Sequence, residues 1–316
     1  MIKRWASLAL KLALTAAAIW YLSRKVDLGA ALGVCRGVHP GWLLAAMLLQ
    51  GVQMLVCGGR WSLVLRAARL AMPVFQATRL YMIGLFFGQV LPGAVGGDAI
   101  RVWKAHQNGL PLSASINSVL LERVLTVFGL LLLATLTLPL LAARVGHSPA
   151  LWMFPGLTLA GLLGMLLLTV LDRLPARLAH LRLVRGFMAL AVDSRRLFFS
   201  PARLGTILAV TLFGHVNLTL VVWAMAQGLG APLSVMDCLA LVPPVVLVTI
   251  LPISISGWGV RENMMVLMLG SVGVGHEQAT ALSLLFGISG MAISLLGGLF
   301  WLQVKNSGPI DFSLKG

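Results

Sequence analysis

Six apolar stretches dominate this chain: Trp5–Leu22, Trp42–Gly59, Ser113–Leu141, Leu151–Leu171, Leu204–Gly228 and Thr280–Val304. About 20 apolar residues cross a bilayer core of roughly 30 Å. In lipid every backbone polar group must be satisfied within the protein, so continuous runs of this length become helices. Of the 316 residues, 59% are hydrophobic and only 10% charged, with a mean hydropathy of +0.95. A soluble domain is about a quarter charged. The chain therefore reads as an all-α polytopic membrane protein with about six spanning helices.

Two further apolar regions, Val74–Ile100 and Val235–Leu269, are interrupted by related sequences. Residues 91–101 read Leu-Pro-Gly-Ala-Val-Gly-Gly-Asp-Ala-Ile-Arg, and residues 251–261 read Leu-Pro-Ile-Ser-Ile-Ser-Gly-Trp-Gly-Val-Arg. In both, a Gly follows the Pro by five positions (Pro92 to Gly97, Pro252 to Gly257) and an Arg follows it by nine (Arg101, Arg261). Pro-Gly breaks carrying charge are tolerated at membrane depth only where broken helices line a polar cavity. The flanking halves are too short to cross, which predicts two re-entrant helical hairpins.

Net charge is +15 from 24 Lys and Arg. Many of these sit at the ends of apolar runs, as the positive-inside rule requires, so they do not form a nucleic-acid surface. The Arg-rich segment 172–203 is placed in the cytoplasm, and its Leu174, Leu178, Leu181, Val184, Phe187 and Leu190 predict an amphipathic helix on anionic lipid. Counting outward, both termini are cytoplasmic and the first apolar run, followed by Arg24 and Lys25, is an uncleaved helix. The first hairpin then enters from the cytoplasm and the second from outside. Residues 1–142 and 149–305 become halves of an inverted-topology repeat in a single membrane domain.

The buried charges are the site candidates, because an ionisable group inside the membrane is costly unless paired or used. A helix starting near Gly96 and Gly97 would aim free N–H groups at an anion. Asp98 suits a cap or a functional charge there, and Arg101 suits a ligand contact or an interfacial anchor. Ser256, Gly257, Trp258, Arg261 and Glu262 make a similar end. Loop charge bias does not account for Arg261 and Glu262, which pair or bind substrate; structural pairs of Arg261 with Asp98 or Arg101 with Glu262 are the alternative. Glu122, with Arg123 beside it, is a carboxylate within the third span, either a proton carrier or a static partner of Arg101 or Arg261. His215 and Asn217 read as packing residues. Gly156, Gly161, Gly164, Gly287, Gly290, Gly297 and Gly298 read as points of close helix approach.

No GxxxxGK[ST], HExxH or GxSxG occurs, and Cys35, Cys57 and Cys238 are widely separated. ATP hydrolysis by this chain, a bound metal and a cofactor are not expected, nor is an enzyme activity.

The sequence resembles the flippase-like family formed by the membrane region of lysylphosphatidylglycerol synthases and its stand-alone relatives. The resemblance is carried by Arg60-Trp61-Ser-Leu-Val-Leu65, by Leu91–Arg101 with its Gly-Gly-Asp-x-x-Arg element, by Glu122-Arg123, and by Pro252…Gly257-x-Gly259-x-Arg-Glu262. It implies a bacterial inner-membrane protein that moves a phospholipid or lipid-linked headgroup between leaflets. Substrate contacts are expected at Pro92, Gly96, Gly97, Asp98, Arg101, Glu122, Ser256, Gly257, Trp258, Arg261 and Glu262. The chain runs about a dozen residues past its last apolar run, so the soluble aminoacyl-transfer domain of the synthases is expected to be missing. Membrane lipids with anionic or zwitterionic headgroups are the expected partners, with a homo-oligomer or a biosynthetic enzyme as further candidates. A membrane-embedded enzyme or a non-catalytic scaffold of envelope synthesis is the alternative.

Overall fold

A computed structural model describes residues 28–304 except 91–95, 171–181, 252–253 and 255–256. The described chain is helical, with no strand among these residues. The helices are α1 (Leu28–Arg36), α2 (Pro40–Ala67), α3 (Val74–Val90), α4 (Gly96–Gln107), α5 (Leu112–Leu136), α6 (Leu138–Val145), α7 (Met153–Leu168), α8 (Arg182–Phe198), α9 (Pro201–Gly228), α10 (Val235–Ile250), α11 (Val260–Gly270) and α12 (His276–Val304). Helices within 40–67, 112–136, 149–168, 201–228 and 276–303 are long and apolar enough to cross a bilayer. The expected span Trp5–Leu22 lies outside the described residues.

Local chemistry sets several boundaries. Pro40 opens α2 just after His39, whose Nδ1 accepts from the Gly41 N–H at 3.2 Å. Ser234 and Asp237 form a reciprocal capping box at the start of α10. The expected single run Ser113–Leu141 is instead two helices, broken at Thr137 with Pro139 in the first turn of α6. Proline cannot supply the N–H that would continue the ladder. Helix α1, which the apolar pattern did not announce, packs against α12.

The long helices α2 and α9 form the central pair and run antiparallel. The His39 N–H at the start of α2 donates to Gly228 O at the end of α9, at 2.8 Å. Further along, Trp42 meets Trp223 edge-on at 5.3 Å, and Asn217 donates to Leu49 O. Each of these helices is followed by a helix–break–helix pair, α3/α4 or α10/α11. The two pairs therefore enter from opposite ends of the bundle. α12 packs along α3 on one side and along α11 on the other. At these contacts Gly297 lies against the Met82 carbonyl, and Gly287 lies against Trp258 and the Arg261 guanidinium. α5 likewise packs on both α4 and α10.

Of the expected stripe on the Arg-rich segment, Leu174, Leu178 and Leu181 lie outside the described residues, while Leu190 lies on helix α8. Leu190 and Leu197 of this helix are buried against Val64, Leu121, Leu125 and Ile207, so these two side chains meet protein. Asn117 on α5 fastens it by donating to Asp193 at 2.9 Å. A concave seat between α2, α5 and α9 removes apolar surface from water while holding the helix in one place.

Candidate functional site

Helix α4 begins at Gly96 and carries Asp98 in its first turn and Arg101 one turn on. It packs hard against α3. A side chain at Gly84 would run into Arg101, and one at Gly97 would run into the Gly84 carbonyl. The absence of Cβ atoms at these two positions lets Arg101 turn inward, where it is 2% exposed. The ring of Trp61 from α2 and the ring of Tyr81 from α3 each lie 4.5 Å from its guanidinium carbon. Such cation–π contacts stabilise by up to about 2 kcal/mol when desolvated. Trp61 is itself fixed by donating to Ser118 Oγ at 3.1 Å.

Five charged side chains form one connected chain. Arg60 donates through Nε to Glu122 Oε1 at 2.9 Å, with its Nη2 on the same oxygen. Glu122 Oε2 accepts from Arg101 Nη1 at 3.2 Å, and the same nitrogen reaches Asp98 Oδ1 at 3.1 Å. Arg123 grips Asp98 with both prongs, Nε on Oδ2 at 2.7 Å and Nη2 on Oδ1 at 3.0 Å. Glu122 is 1% exposed and lies ten residues into α5, about 15 Å along its axis. Arg123, its neighbour, is 46% exposed. An exposed arginine on an apolar span needs water or a headgroup beside it, since hydrocarbon would cost about 2.5–3.5 kcal/mol.

Within this chain of five, Arg101 is the member left incompletely satisfied among the described residues. Its Nε and Nη2 are buried and have no hydrogen-bond partner among the described residues. Leaving a buried donor unpaired costs about 1–3 kcal/mol.

The second motif closes on itself. Gly257 and Gly259 have φ of 78° and 79°, a left-handed turn that glycine adopts without strain. The turn brings Glu262 back to accept from the Gly259 N–H at 2.5 Å, which fills the helix end expected to face an anion. Arg261 donates through Nη2 to Glu262 Oε1 at 2.7 Å and through Nε to Ser283 Oγ on α12 at 3.0 Å. Trp258 and Phe286 flank its guanidinium at 4.7 and 5.7 Å. Arg261 and Arg101 are thus built alike: each is held between two aromatic side chains and braced by the long helix that follows its hairpin.

Of the two static partners that the sequence offered Glu122 (Arg101 and Arg261), the structure pairs it with Arg101, and Asp98 joins them by bridging Arg101 and Arg123. Gly96 and Gly97 lie at the same helix start. Gly257, Trp258, Arg261 and Glu262 form a separate cluster, and neither proposed cross-pair, Arg261 with Asp98 or Arg101 with Glu262, is formed. Pro92 and Ser256 lie outside the described residues. Arg60, Tyr81 and Ser283 were missed. Arg60 closes an apolar run and reads as an interfacial anchor; Tyr81 and Ser283 carry no charge to mark them.

His215 and Asn217 hold helices together as expected, His215 Nε2 against Thr126 O at 2.9 Å and Asn217 on Leu49 O at 3.0 Å. Gly161 meets the Phe128 ring, whereas a Cβ at Gly156, Gly164 or Gly290 meets nothing among the described residues.

No individually curated protein matches the sequence. The sequence profile described as the lysylphosphatidylglycerol synthase TM region matches residues 8–298, nearly the whole chain. The chain belongs to that family.

Proposed function

We propose that this protein is a lipid translocase, passing a phospholipid or lipid-linked headgroup between the leaflets of a bacterial inner membrane without hydrolysing ATP. Its family links it to lipid biosynthesis or translocation, and its helices make it a multi-pass membrane protein. The observation that carries the finer reading is the antiparallel pairing of α2 with α9, each leading into a broken hairpin that bears a buried arginine. Such halves form an inverted repeat, and hairpins entering from opposite sides give a headgroup a polar foothold near each leaflet. The half-exposed Arg123 beside Asp98 marks where a headgroup would enter, while the acyl chains stay in lipid. Rocking of one half against the other then alternates access.

The test is leaflet exchange of fluorescent phospholipid in proteoliposomes containing the purified chain. Exchange above that of protein-free vesicles is expected, and Arg101→Ala and Arg261→Ala each slow it by at least about tenfold, the first by losing a headgroup contact and the second by losing the contacts to Glu262 and Ser283 that shape its hairpin. Wild-type protein that leaves the exchange rate at the protein-free level overturns the reading.

A further inference from the structure

The four arginines of the two clusters differ in one respect. An arginine's Nε and Nη2 hydrogens point the same way and form a side-on fork suited to two oxygen acceptors. Arg60 fills this fork with Glu122, and Arg123 fills it with both oxygens of Asp98. Arg261 fills it with Glu262 and the Ser283 hydroxyl. In Arg101 the same two atoms are buried and have no hydrogen-bond partner among the described residues, its contacts to Asp98 and Glu122 running through Nη1 alone. The ring of Trp61 and the ring of Tyr81 hold that guanidinium in place.

Charge counting points the same way. The connected chain holds three arginines (Arg60, Arg101, Arg123) against two carboxylates (Asp98, Glu122), an excess of one positive charge. The second cluster, one arginine against one carboxylate, is balanced. Among the described residues, the uncompensated positive charge and the unpartnered pair of donors fall at the same place. We infer that the Nε/Nη2 edge of Arg101 binds a singly charged oxyanion. The phosphodiester of a lipid headgroup and the monoanion of free inorganic phosphate both carry that chemistry. Its assignment to a lipid rests on the translocase reading, whereas the open fork does not.

The experiment uses the purified full-length chain and reads binding apart from transport. Dioctanoyl phosphatidylglycerol, dioctanoylglycerol (the same chains without the oxyanion) and inorganic phosphate are each titrated, following thermal stabilisation and tryptophan fluorescence. Phosphatidylglycerol is expected to bind saturably and at least about tenfold more tightly than dioctanoylglycerol. Arg101→Lys, which keeps the charge and loses the fork, is expected to weaken that binding by about tenfold. Saturable binding by phosphate that competes with the lipid identifies the free ion as a second source of the same chemistry and supports the site. Equal affinity for dioctanoylglycerol, or a folded Arg101→Lys variant that binds as wild type, overturns it. If Arg101→Lys does not fold, the wild-type comparison of the two lipids decides alone. Binding without leaflet exchange keeps this site and removes the translocase reading; exchange without a preference for the oxyanion does the reverse.

Discussion

Asn217 on α9 donates its side-chain amide to the backbone carbonyl of Leu49 on α2 at 3.0 Å, across 168 positions of sequence. The same amide donates to Gln53 Oε1 at 2.9 Å. Carboxamide contacts of this kind hold membrane helices together where apolar attraction between helices is absent. They fix α2 and α9 in one antiparallel register, and that register sends the two broken hairpins in from opposite ends. The inner arginine cluster depends on it too, because α2 also supplies Arg60 and Trp61.

Glu122 is the residue on which that cluster turns. Replacing it by Gln keeps the shape and removes the charge that both Arg60 and Arg101 face. Removing one partner of a buried pair destabilises by about 3–5 kcal/mol, because the remaining charge stays buried. Glu122→Gln is therefore expected to unfold at markedly lower temperature than wild type in the same detergent. The double variant Arg60→Gln/Glu122→Gln should recover part of the loss. A double variant whose loss equals the sum of the single losses would show that the two side chains are not coupled.

The glycines separate into two groups that mutation should distinguish. A Cβ at Gly297 meets the Met82 carbonyl and one at Gly97 meets the Gly84 carbonyl, whereas one at Gly156 or Gly164 meets nothing among the described residues. Overpacking costs about 1–3 kcal/mol, while Gly→Ala at an open helical site is favourable by up to about 1 kcal/mol. Thermal melts should show Gly97→Ala and Gly297→Ala destabilised and Gly156→Ala and Gly164→Ala unchanged or stabilised. Equal effects at all four would contradict the packing of α3 against α4 and α12.

Ser283 tests the second cluster without touching a charge. Its hydroxyl accepts from Arg261 Nε at 3.0 Å and donates to Glu262 Oε1 at 2.9 Å. Ser283→Ala leaves a buried arginine donor unpaired, at a cost of about 1–3 kcal/mol. Exchange activity should fall with it, and Ser283→Thr, which restores a hydroxyl, should recover most of the loss. An alanine variant that is as stable and active as wild type would mean that Arg261 needs no such brace.

Much of the fold was legible because lipid leaves few options: long apolar runs become helices, and Pro-Gly breaks between short runs become helix–break–helix pairs. Asp98, Arg101 and Glu122 were legible as site candidates because a charge in an apolar run needs a reason. What the pattern could not supply was partnership. Arg60 lies at the end of its apolar run, where an anchor and a cluster member look alike. Ser283 resembles any small polar residue in a span. The seat of α8 on α2 and α5 was also hidden, since an apolar stripe fits lipid and a protein groove equally well. Glu262 illustrates the same limit: its folding back onto the Gly259 N–H depends on two left-handed glycines whose geometry only the structure displays.

The antiparallel register of α2 and α9 can be tested by paired cysteines in a cysteine-free background. A Cβ at Gly228 lies 3.0 Å from Val38 Cγ2, and one at Gly214 lies 3.0 Å from Val56 Cγ1. The first contact stands at one end of the pairing and the second near the middle of α9. Val38→Cys/Gly228→Cys and Val56→Cys/Gly214→Cys should each cross-link on mild oxidation, while the exchanged pairs Val38→Cys/Gly214→Cys and Val56→Cys/Gly228→Cys should not. Fourteen positions separate Gly214 from Gly228, about 21 Å along a helix, well beyond the reach of a disulfide. Impermeant thiol labelling then supplies the direction: residues 229–236 should react from outside and 103–109 only after the inner face is opened. Cross-linking of the exchanged pairs, or labelling of both segments from one side, would remove the geometric basis for two hairpins entering from opposite faces.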